Sequence, residues 1–189
     1  MRSDMADLYP SAEVIGTDLS PIQPRWVPPN CSFEIDDATE QWTFPKNSFD
    51  FVHVREMFGS VPDWDEFFKQ AFAHIKPGGY IECLERSVEP AGEDETIGPD
   101  HFYHEWGRTV VSMGERWGKS FTVWRELKDR LEKAGFEDVV ENRMKWPMNG
   151  YSSDPKLKEL GRWNQLRLDR GMEGYMMRLL TVSGGVGLP

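Results

Sequence analysis

The chain has 189 residues, and its 22 Lys and Arg against 32 Asp and Glu give a formal net charge of −10. The length suits one domain with a hydrophobic core, and an aromatic content of 13% argues against a disordered chain. The negative charge disfavours nucleic acid and anionic membranes as partners, so we expect neither.

Targeting and thiol patterns indicate an intracellular protein. No apolar run reaches 18 residues, and no apolar segment follows the N-terminal Met1 and Arg2, so the sequence predicts neither a spanning helix nor a secretory signal. Cys31 and Cys83 alone form no disulfide framework, which favours reduced thiols. We therefore expect a cytoplasmic localisation.

Short apolar runs alternate with helical patterns along the first half of the chain, which is typical of an α/β fold. Ser20 and Pro21 have the pattern of a helix start after the first run, although later prolines exclude a long helix there. Asp63, with Glu66 three residues later, predicts the capped start of a strong helix that ends at residues 76–79. Four strands are predicted, over residues 12–17, 31–35, 49–54 and 80–85.

The second half is predicted to be mainly helical. A polar loop over residues 89–99 precedes a helix from Asp100, and a further helix over residues 122–134 stops at Gly135. A fifth strand is predicted over 136–143. A polar helix then begins after Asp154 and Pro155, and a second short helix is expected over 172–180. We expect a single domain over residues 1–189, with helical cap segments over 90–120 and 147–182.

Asp18 is the first candidate for binding chemistry, because it lies at the carboxyl end of a predicted buried strand. Ligands of open parallel sheets bind in the crevice at that edge, and a carboxylate there can accept hydrogen bonds from both hydroxyls of a ribose. Taken alone, the residue favours the structural interpretation, a helix or turn cap, since Asp-Leu-Ser-Pro is also a good capping sequence.

Asp36, Asp37 and Ala38 follow the next predicted strand. An acidic side chain at this point can accept from the exocyclic amine of a purine, whereas an acidic solvated turn is the structural alternative. Asp18 lies about twenty residues earlier, at the end of the preceding strand, and this spacing suits a nucleoside laid across both strand ends.

Val54 and Arg55 end the third predicted strand beside the same crevice. His53 lies within that strand, so we expect it to be packed and hydrogen-bonded and not catalytic. The remaining histidines of note, His101 and His104, belong to a helix start that we expect to be solvated. The histidines and cysteines show no metal-ligand spacing, so no metal is predicted.

Taken together, these segments resemble a class I S-adenosylmethionine (SAM)-dependent methyltransferase. Residues 14–20 resemble the motif whose acid binds the SAM ribose, and residues 36–38 resemble the motif that contacts adenine. Residues 48–53 and 75–82 resemble the segments of the fourth and fifth strands. The chain is similar in particular to the fungal LaeA-like family of secondary-metabolism methyltransferases, through residues 7–10, 16–24, 55–64, 145–147 and 154–161.

The resemblance implies a Rossmann-like sheet with strand order 3-2-1-4-5-7-6. The sequence shows no counterpart of the family's first strand with its glycine-rich loop, and none of its seventh strand, so we expect an incomplete sheet. A missing interior strand leaves backbone groups without partners. A protein partner or a homo-oligomer that completes the sheet is therefore expected as one solution.

By resemblance, the cofactor is SAM, and Asp18, Leu19, Asp36, Asp37, Ala38, Val54 and Arg55 would bind it. The implied activity is methyl transfer to a small secondary metabolite, in which positioning of the acceptor does most of the work, so no catalytic residue is assigned. The alternative is a catalytically inactive methyltransferase-like partner or regulatory protein. Some members of the family act as nuclear regulators, which makes the nucleus the alternative localisation.

Overall fold

The computed structural model describes residues 2–24, 26–92, 98, 100–178 and 181. Its elements alternate between strands and helices in the first half and are helical afterwards. In chain order they are α1 (Arg2–Leu8), β1 (Val14–Asp18), β2 (Cys31–Ile35), β3 (Phe49–Arg55), α2 (Trp64–His74), β4 (Ile75–Leu84), α3 (Phe102–Arg116), a short 3-10 helix (Val123–Arg125), α4 (Leu127–Ala134) and α5 (Pro155–Arg178).

The four described strands form two separate parallel pairs. β1 pairs with β2, from Val14 opposite Cys31 to Asp18 opposite Ile35. β3 pairs with β4, and its last residue, Arg55, lies opposite Leu84. No ladder joins the two pairs within the described ranges, so each of the four strands has one open edge there. This arrangement is an incomplete Rossmann-like sheet, as the sequence predicts.

Helix α2 is the central element of the core, and its predicted start is confirmed. The Asp63 side chain accepts a hydrogen bond of 3.0 Å from the Glu66 amide and so caps the first turn. The helix ends at His74, where β4 begins directly. Residues 76–79 then form an irregularity inside β4 opposite the start of β3, where the prediction has only a turn, and Gly78 there has a φ of 81°.

The main hydrophobic cluster lies between the β3–β4 pair, α2 and the helices of the second half. Its fully buried side chains include Phe68 of α2, Val110 of α3 and Val61, which precedes α2. The other members are Val54, Phe58, Trp64, Phe67, Met113, Phe121, Val123, Leu131 and Met176. No residue of β1 or β2 belongs to this cluster, while Ala6 and Cys31 are buried apart from it.

The prediction of a fifth strand over residues 136–143 is wrong. This segment is irregular, and Asp138 interrupts any extended run with a φ of 53°. Phe136 nevertheless packs edge-on against Phe72, and Val140 is exposed. The apolar residues of this segment therefore reflect its packing on α2. To form a strand, the segment would also need a neighbouring strand edge with which to exchange hydrogen bonds.

Three helix boundaries also differ from the predictions. No helix begins at Ser20, because the Asp18 side chain and the following prolines hold residues 19–24 in an irregular turn. The predicted helix over 122–134 is divided at Glu126 into the 3-10 helix and α4, although Gly135 ends it as expected with a φ of 110°. Of the short helix predicted over 172–180, residues 172–178 are the end of the continuous helix α5, and residues 179 and 180 lie outside the described residues.

Candidate functional site

The carboxyl ends of β1 and β2 bring two acidic residues together. Asp18 is the last residue of β1, and Asp36 directly follows β2. The backbone amide of Asp36 donates to the Asp18 carbonyl at 3.2 Å, which extends the strand pairing by one step. The two backbones are therefore neighbours at one sheet edge, as parallel pairing requires.

The Asp18 side chain caps the turn that follows its strand. Its Oδ1 accepts a hydrogen bond of 3.0 Å from the Ser20 amide, and the contact is exposed to solvent. Leu19, between them, is 68% exposed. Asp18 thus caps the turn through one carboxylate oxygen, and its side chain is half-buried at the strand end.

The segment after β2 is a tight turn held by its own side chains. Asp36 Oδ1 accepts from the Asp37 amide at 2.9 Å. Asp37 Oδ1 accepts from the Thr39 amide at 2.9 Å and from its hydroxyl at 2.7 Å. The Ala38 carbonyl accepts from Trp42 Nε1 at 2.8 Å. All three residues predicted here are half-buried, so the turn presents a fixed shape.

A single glutamine of α2 anchors this turn to the core. Gln70 Oε1 accepts from the Trp42 amide at 2.9 Å, and Gln70 Nε2 donates to the Glu40 carbonyl at 3.1 Å. The Trp42 ring packs edge-on against Phe67 of the same helix. The turn over 36–42, which we call the acidic turn, is therefore fixed to α2.

Val54 and Arg55 lie at the carboxyl end of the other strand pair. The Val54 side chain is 5% exposed and belongs to the core, so only its backbone can face a ligand. Arg55 is exposed at the strand end. No strand ladder joins this end to Asp18 within the described residues, whereas a ladder does join the strand of Asp18 to the strand before the acidic turn.

His53 and His101 hold structural positions. His53 lies opposite Glu82 in the ladder, and its Nδ1 is 2.7 Å from Glu82 Oε2. His101 caps α3 by accepting from the Tyr103 amide at 3.2 Å. Among the described residues, no group of three or more His, Cys, Asp or Glu side chains is placed to hold a metal ion.

A second polar cluster, which the sequence does not single out, follows β3 and β4. Glu85 Oε1 accepts from the Met57 amide at 2.8 Å, and Oε2 accepts from the Phe58 amide at 3.1 Å. Burial is the main reason that the pKa of Glu85 rises to about 7, and the nearby Glu56 adds to the shift. An acid at the carboxyl end of a strand is the signal that identifies Asp18, and it could have identified Glu85.

Two arginines enclose a tryptophan beside this carboxyl group. The guanidinium carbons of Arg86 and Arg167 lie 5.7 Å and 4.9 Å from the centroid of the Trp146 ring. Both side chains also approach Glu56 Oε2, at 3.6 Å and 4.0 Å. The sequence alone does not predict this arrangement, because the two partners of Trp146 are 60 and 21 positions away.

Parallel strand pairs, acidic residues at one carboxyl edge and a helical second half define an α/β protein of the Rossmann-like class. Residues 4–141 match the family model described as a methyltransferase domain. The chain therefore belongs to the methyltransferase domain family.

Particular relatives agree with the resemblance to the LaeA-like family. The chain is 37% identical over 180 residues to the secondary metabolism regulator LAE1 of Cochliobolus heterostrophus, covering 94% of this chain and 59% of that one. It is 34% identical over 178 residues to the methyltransferase pytC of Aspergillus terreus, covering 94% and 55%. The chain thus spans less than two thirds of the length of either relative.

A solved structure supports the fold assignment. The phospholethanolamine N-methyltransferase 2 of Haemonchus contortus, in complex with phosphomonomethylethanolamine and S-adenosylhomocysteine, matches with a TM-score of 0.54 at 19% identity. The match covers 97% of this chain and 41% of that one. Within the described part of our chain, no helix is long and apolar enough to cross a membrane.

Proposed function

We propose that this protein binds SAM at the carboxyl ends of β1 and β2 and transfers its methyl group to a small secondary metabolite. The observation that supports the proposal most directly is the adjacency of Asp18 and the acidic turn at one edge of a parallel strand pair. The family membership and the relatives that are named as methyltransferases agree with it.

The described residues fit the nucleoside part of SAM. The half-buried Asp18 carboxylate can accept from both ribose hydroxyls and keep its contact with the Ser20 amide. Asp36 and Asp37 offer carboxylate oxygens to an exocyclic amine, and Ala38 provides backbone beside the ring. Leu19 and the end of β3, with Val54 and Arg55, would complete the surroundings of the cofactor.

When bound, SAM supplies an activated methyl group. The chain's own residues then need to bind the acceptor, hold its nucleophile in line with that group and exclude water. We include the helical segments 90–120 and 147–182 in this role, as caps over one domain that spans residues 1–189. No catalytic base is assigned, because orientation alone supplies much of the rate enhancement in such a reaction.

An inactive methyltransferase-like regulator is the second candidate function. The strand edges that have no ladder partner among the described residues, including those of β1 and β3, favour it, because such edges are ready to pair with another chain. Under this proposal a protein partner or a second copy completes the sheet. The relatives that are named secondary metabolism regulators are consistent with such a role. We propose a cytoplasmic location for the enzyme, and a nuclear one for the regulator.

Calorimetric titration with SAM and with S-adenosylhomocysteine distinguishes the two candidate functions, the methyltransferase and the inactive regulator. We expect micromolar binding by the full chain and at least a tenfold weaker affinity for Asp18→Asn, because a hydrogen bond to a charged group contributes roughly 1.5–3 kcal/mol. The asparagine keeps an oxygen for the Ser20 amide, so the turn remains capped.

Asp7→Asn, on the exposed face of α1, is the matched control and should bind like the parent chain. If a cooperatively folded parent chain binds neither ligand, the methyltransferase proposal is wrong and the regulator proposal stands. In that case, size-exclusion chromatography with light scattering should show a complex or an oligomer and not a monomer.

A further inference from the structure

One side of α5 is exposed and carries both apolar and basic side chains. Lys156, Leu160, Trp163, Arg170 and Met177 follow one another at intervals of three, four or seven residues, which places them on one side of the helix. All five are exposed, and Trp163, at 62%, is the most exposed of the three apolar ones. We call these five residues the α5 stripe. It favours a partner surface that is both apolar and acidic.

The charge of the α5 stripe is not neutralised within the described part of the chain. Neither Lys156 nor Arg170 has an ion-pair partner among the described residues. Helix α5 as a whole carries six basic and three acidic residues, although the chain has a net charge of −10. Helix α5 is therefore a basic element on a strongly acidic chain, and basic amphipathic helices are typical docking elements.

An acidic and apolar surface lies at the amino end of β1. Leu8 ends α1 and is 73% exposed, and Tyr9, which follows it, is 56% exposed. Glu13, directly before β1, is also exposed and has no ion-pair partner among the described residues. We call these three residues the amino-end surface. The sequence around it is acidic, since residues 1–42 hold eight Asp and Glu against two Arg and no Lys.

One asparagine fixes the shape of the amino-end surface. Asn30 Nδ2, directly before β2, lies 3.0, 3.2 and 2.8 Å from the carbonyl oxygens of Ala6, Tyr9 and Ala12. The Tyr9 amide also donates to the Met5 carbonyl at 2.9 Å. The turn between α1 and β1 is therefore held in one conformation, and a preordered surface loses little entropy on association. It lies at the opposite end of β1 from Asp18.

We propose that two copies of this chain associate through these surfaces, with the α5 stripe of each copy against the amino-end surface of the other. Both surfaces are exposed in a single copy, both are partly apolar, and their charges are opposite. A reciprocal contact of this kind closes a twofold dimer, in which each favourable interaction occurs twice. The dimer requires neither SAM binding nor the pairing of open strand edges.

The size of the α5 stripe is sufficient for such a dimer. Residues 156–177 span about 32 Å of helix, and one helix face is about 10 Å wide. Two reciprocal contacts of this size bury on the order of 1,200 Å² in total, which reaches the lower end of the range for specific protein interfaces. We therefore expect a dissociation constant in the micromolar range.

Sedimentation velocity of the full chain over a range of concentrations tests the association. We expect a monomer–dimer equilibrium that weakens at least tenfold as NaCl is raised from about 50 mM to about 500 mM, because salt screens the opposite charges of the two surfaces. Trp163→Glu and Tyr9→Glu should each weaken the dimer at least tenfold, since each places a charge in the contact. A chain that stays monomeric at every concentration would overturn the proposal.

A mixture of the two variants tests the reciprocal arrangement. The Trp163→Glu copy keeps its amino-end surface, and the Tyr9→Glu copy keeps its α5 stripe. One contact of the mixed dimer is therefore intact, whereas neither variant forms an intact contact with itself. We expect the mixture to associate more tightly than either variant alone. A mixture as weak as the separate variants, or complexes larger than a dimer, would contradict the closed dimer.

Val140→Glu is the matched control, because Val140 is 78% exposed and belongs to neither surface. It should dimerise like the parent chain. If circular dichroism shows that Trp163→Glu does not fold, Arg170→Glu takes its place, since it reverses a charge of the stripe at an exposed position. A dimer that persists in both surface variants and at high salt is formed by another surface, such as the open strand edges, and would reject the proposal.

Discussion

Glu85 directly follows β4, and its two carboxyl oxygens hold the loop after β3 by accepting from Met57 and Phe58. Burial raises the pKa of this carboxyl to about 7, so the folded chain binds the proton more tightly than the unfolded chain does. Stability from this group is fully present below the ordinary pKa of about 4.3 and is lost as pH rises through about 7.

The pH dependence of unfolding measures this effect. Between pH 4.5 and pH 8, we expect the free energy of unfolding of the parent chain to fall by roughly 2 kcal/mol relative to that of Glu85→Gln. Urea unfolding at several pH values gives the comparison, with Glu115→Gln on the exposed face of α3 as control. A constant difference between the parent chain and Glu85→Gln over this range would show that Glu85 does not titrate in that window.

The candidate residues differ in how far sequence alone could find them. Asp18 and Asp36 could be predicted to be neighbours, because two consecutive parallel strands must end at the same edge. The contacts among Arg86, Trp146 and Arg167 could not, because they depend on the packing of α5 against a loop far away in the sequence. Local patterns do not contain that information.

At the scale of elements, α5 packs very closely on the loop that contains Trp146. Gly161 of α5 has no room for a side chain, since a Cβ atom there would lie 1.9 Å from the Asn149 carbonyl oxygen. Gly174, on the same helix, has no neighbouring atom within 4 Å of the corresponding position. The two glycines therefore provide a matched comparison within one element.

We expect Gly161→Ala to lower the free energy of unfolding by at least roughly 2 kcal/mol, because α5 or the loop must move. Gly174→Ala should raise it by about 0.8 kcal/mol, through the higher helix propensity of alanine. Urea unfolding of both variants tests this. Equal effects of the two substitutions would mean that α5 does not approach the loop as closely as described.

Element boundaries that depend on residues nearby in the sequence could be predicted, and elements that need a partner far away in the sequence could not. The start of α2 follows from the Asp63 cap, and the end of α4 follows from Gly135. The segment 136–143 has the apolar pattern of a strand but becomes one only where a neighbouring edge offers hydrogen bonds. The single helix α5 likewise continues through Gly171 and Gly174, which locally disfavour it.

At the scale of the whole molecule, stability is divided unevenly between the two strand pairs. The β3–β4 pair packs on the main cluster through Val54, whereas the β1–β2 pair lies outside that cluster. A two-stranded sheet with little core is only marginally stable. We therefore expect the β1–β2 pair to open before the rest of the protein.

The reactivity of the two cysteine thiols shows which strand pair opens first, because Cys31 lies in β2 and Cys83 lies in β4. In increasing urea, Ellman's reagent should modify Cys31 at a lower concentration than Cys83. Burial also raises the pKa of Cys83 to about 12, which suppresses its thiolate in the folded chain. Cys31→Ser and Cys83→Ser assign the two signals. Simultaneous modification of both thiols would indicate a single cooperative unit.

Gln70 connects the acidic turn to the middle of α2 through two hydrogen bonds of opposite sense. The same helix carries Phe67 and Phe68, which form the centre of the hydrophobic interior. If the proposed nucleoside site is correct, a shift of the acidic turn on binding would act directly on α2 through these two hydrogen bonds. Gln70 therefore couples the position of the acidic turn mechanically to the packed interior of the protein.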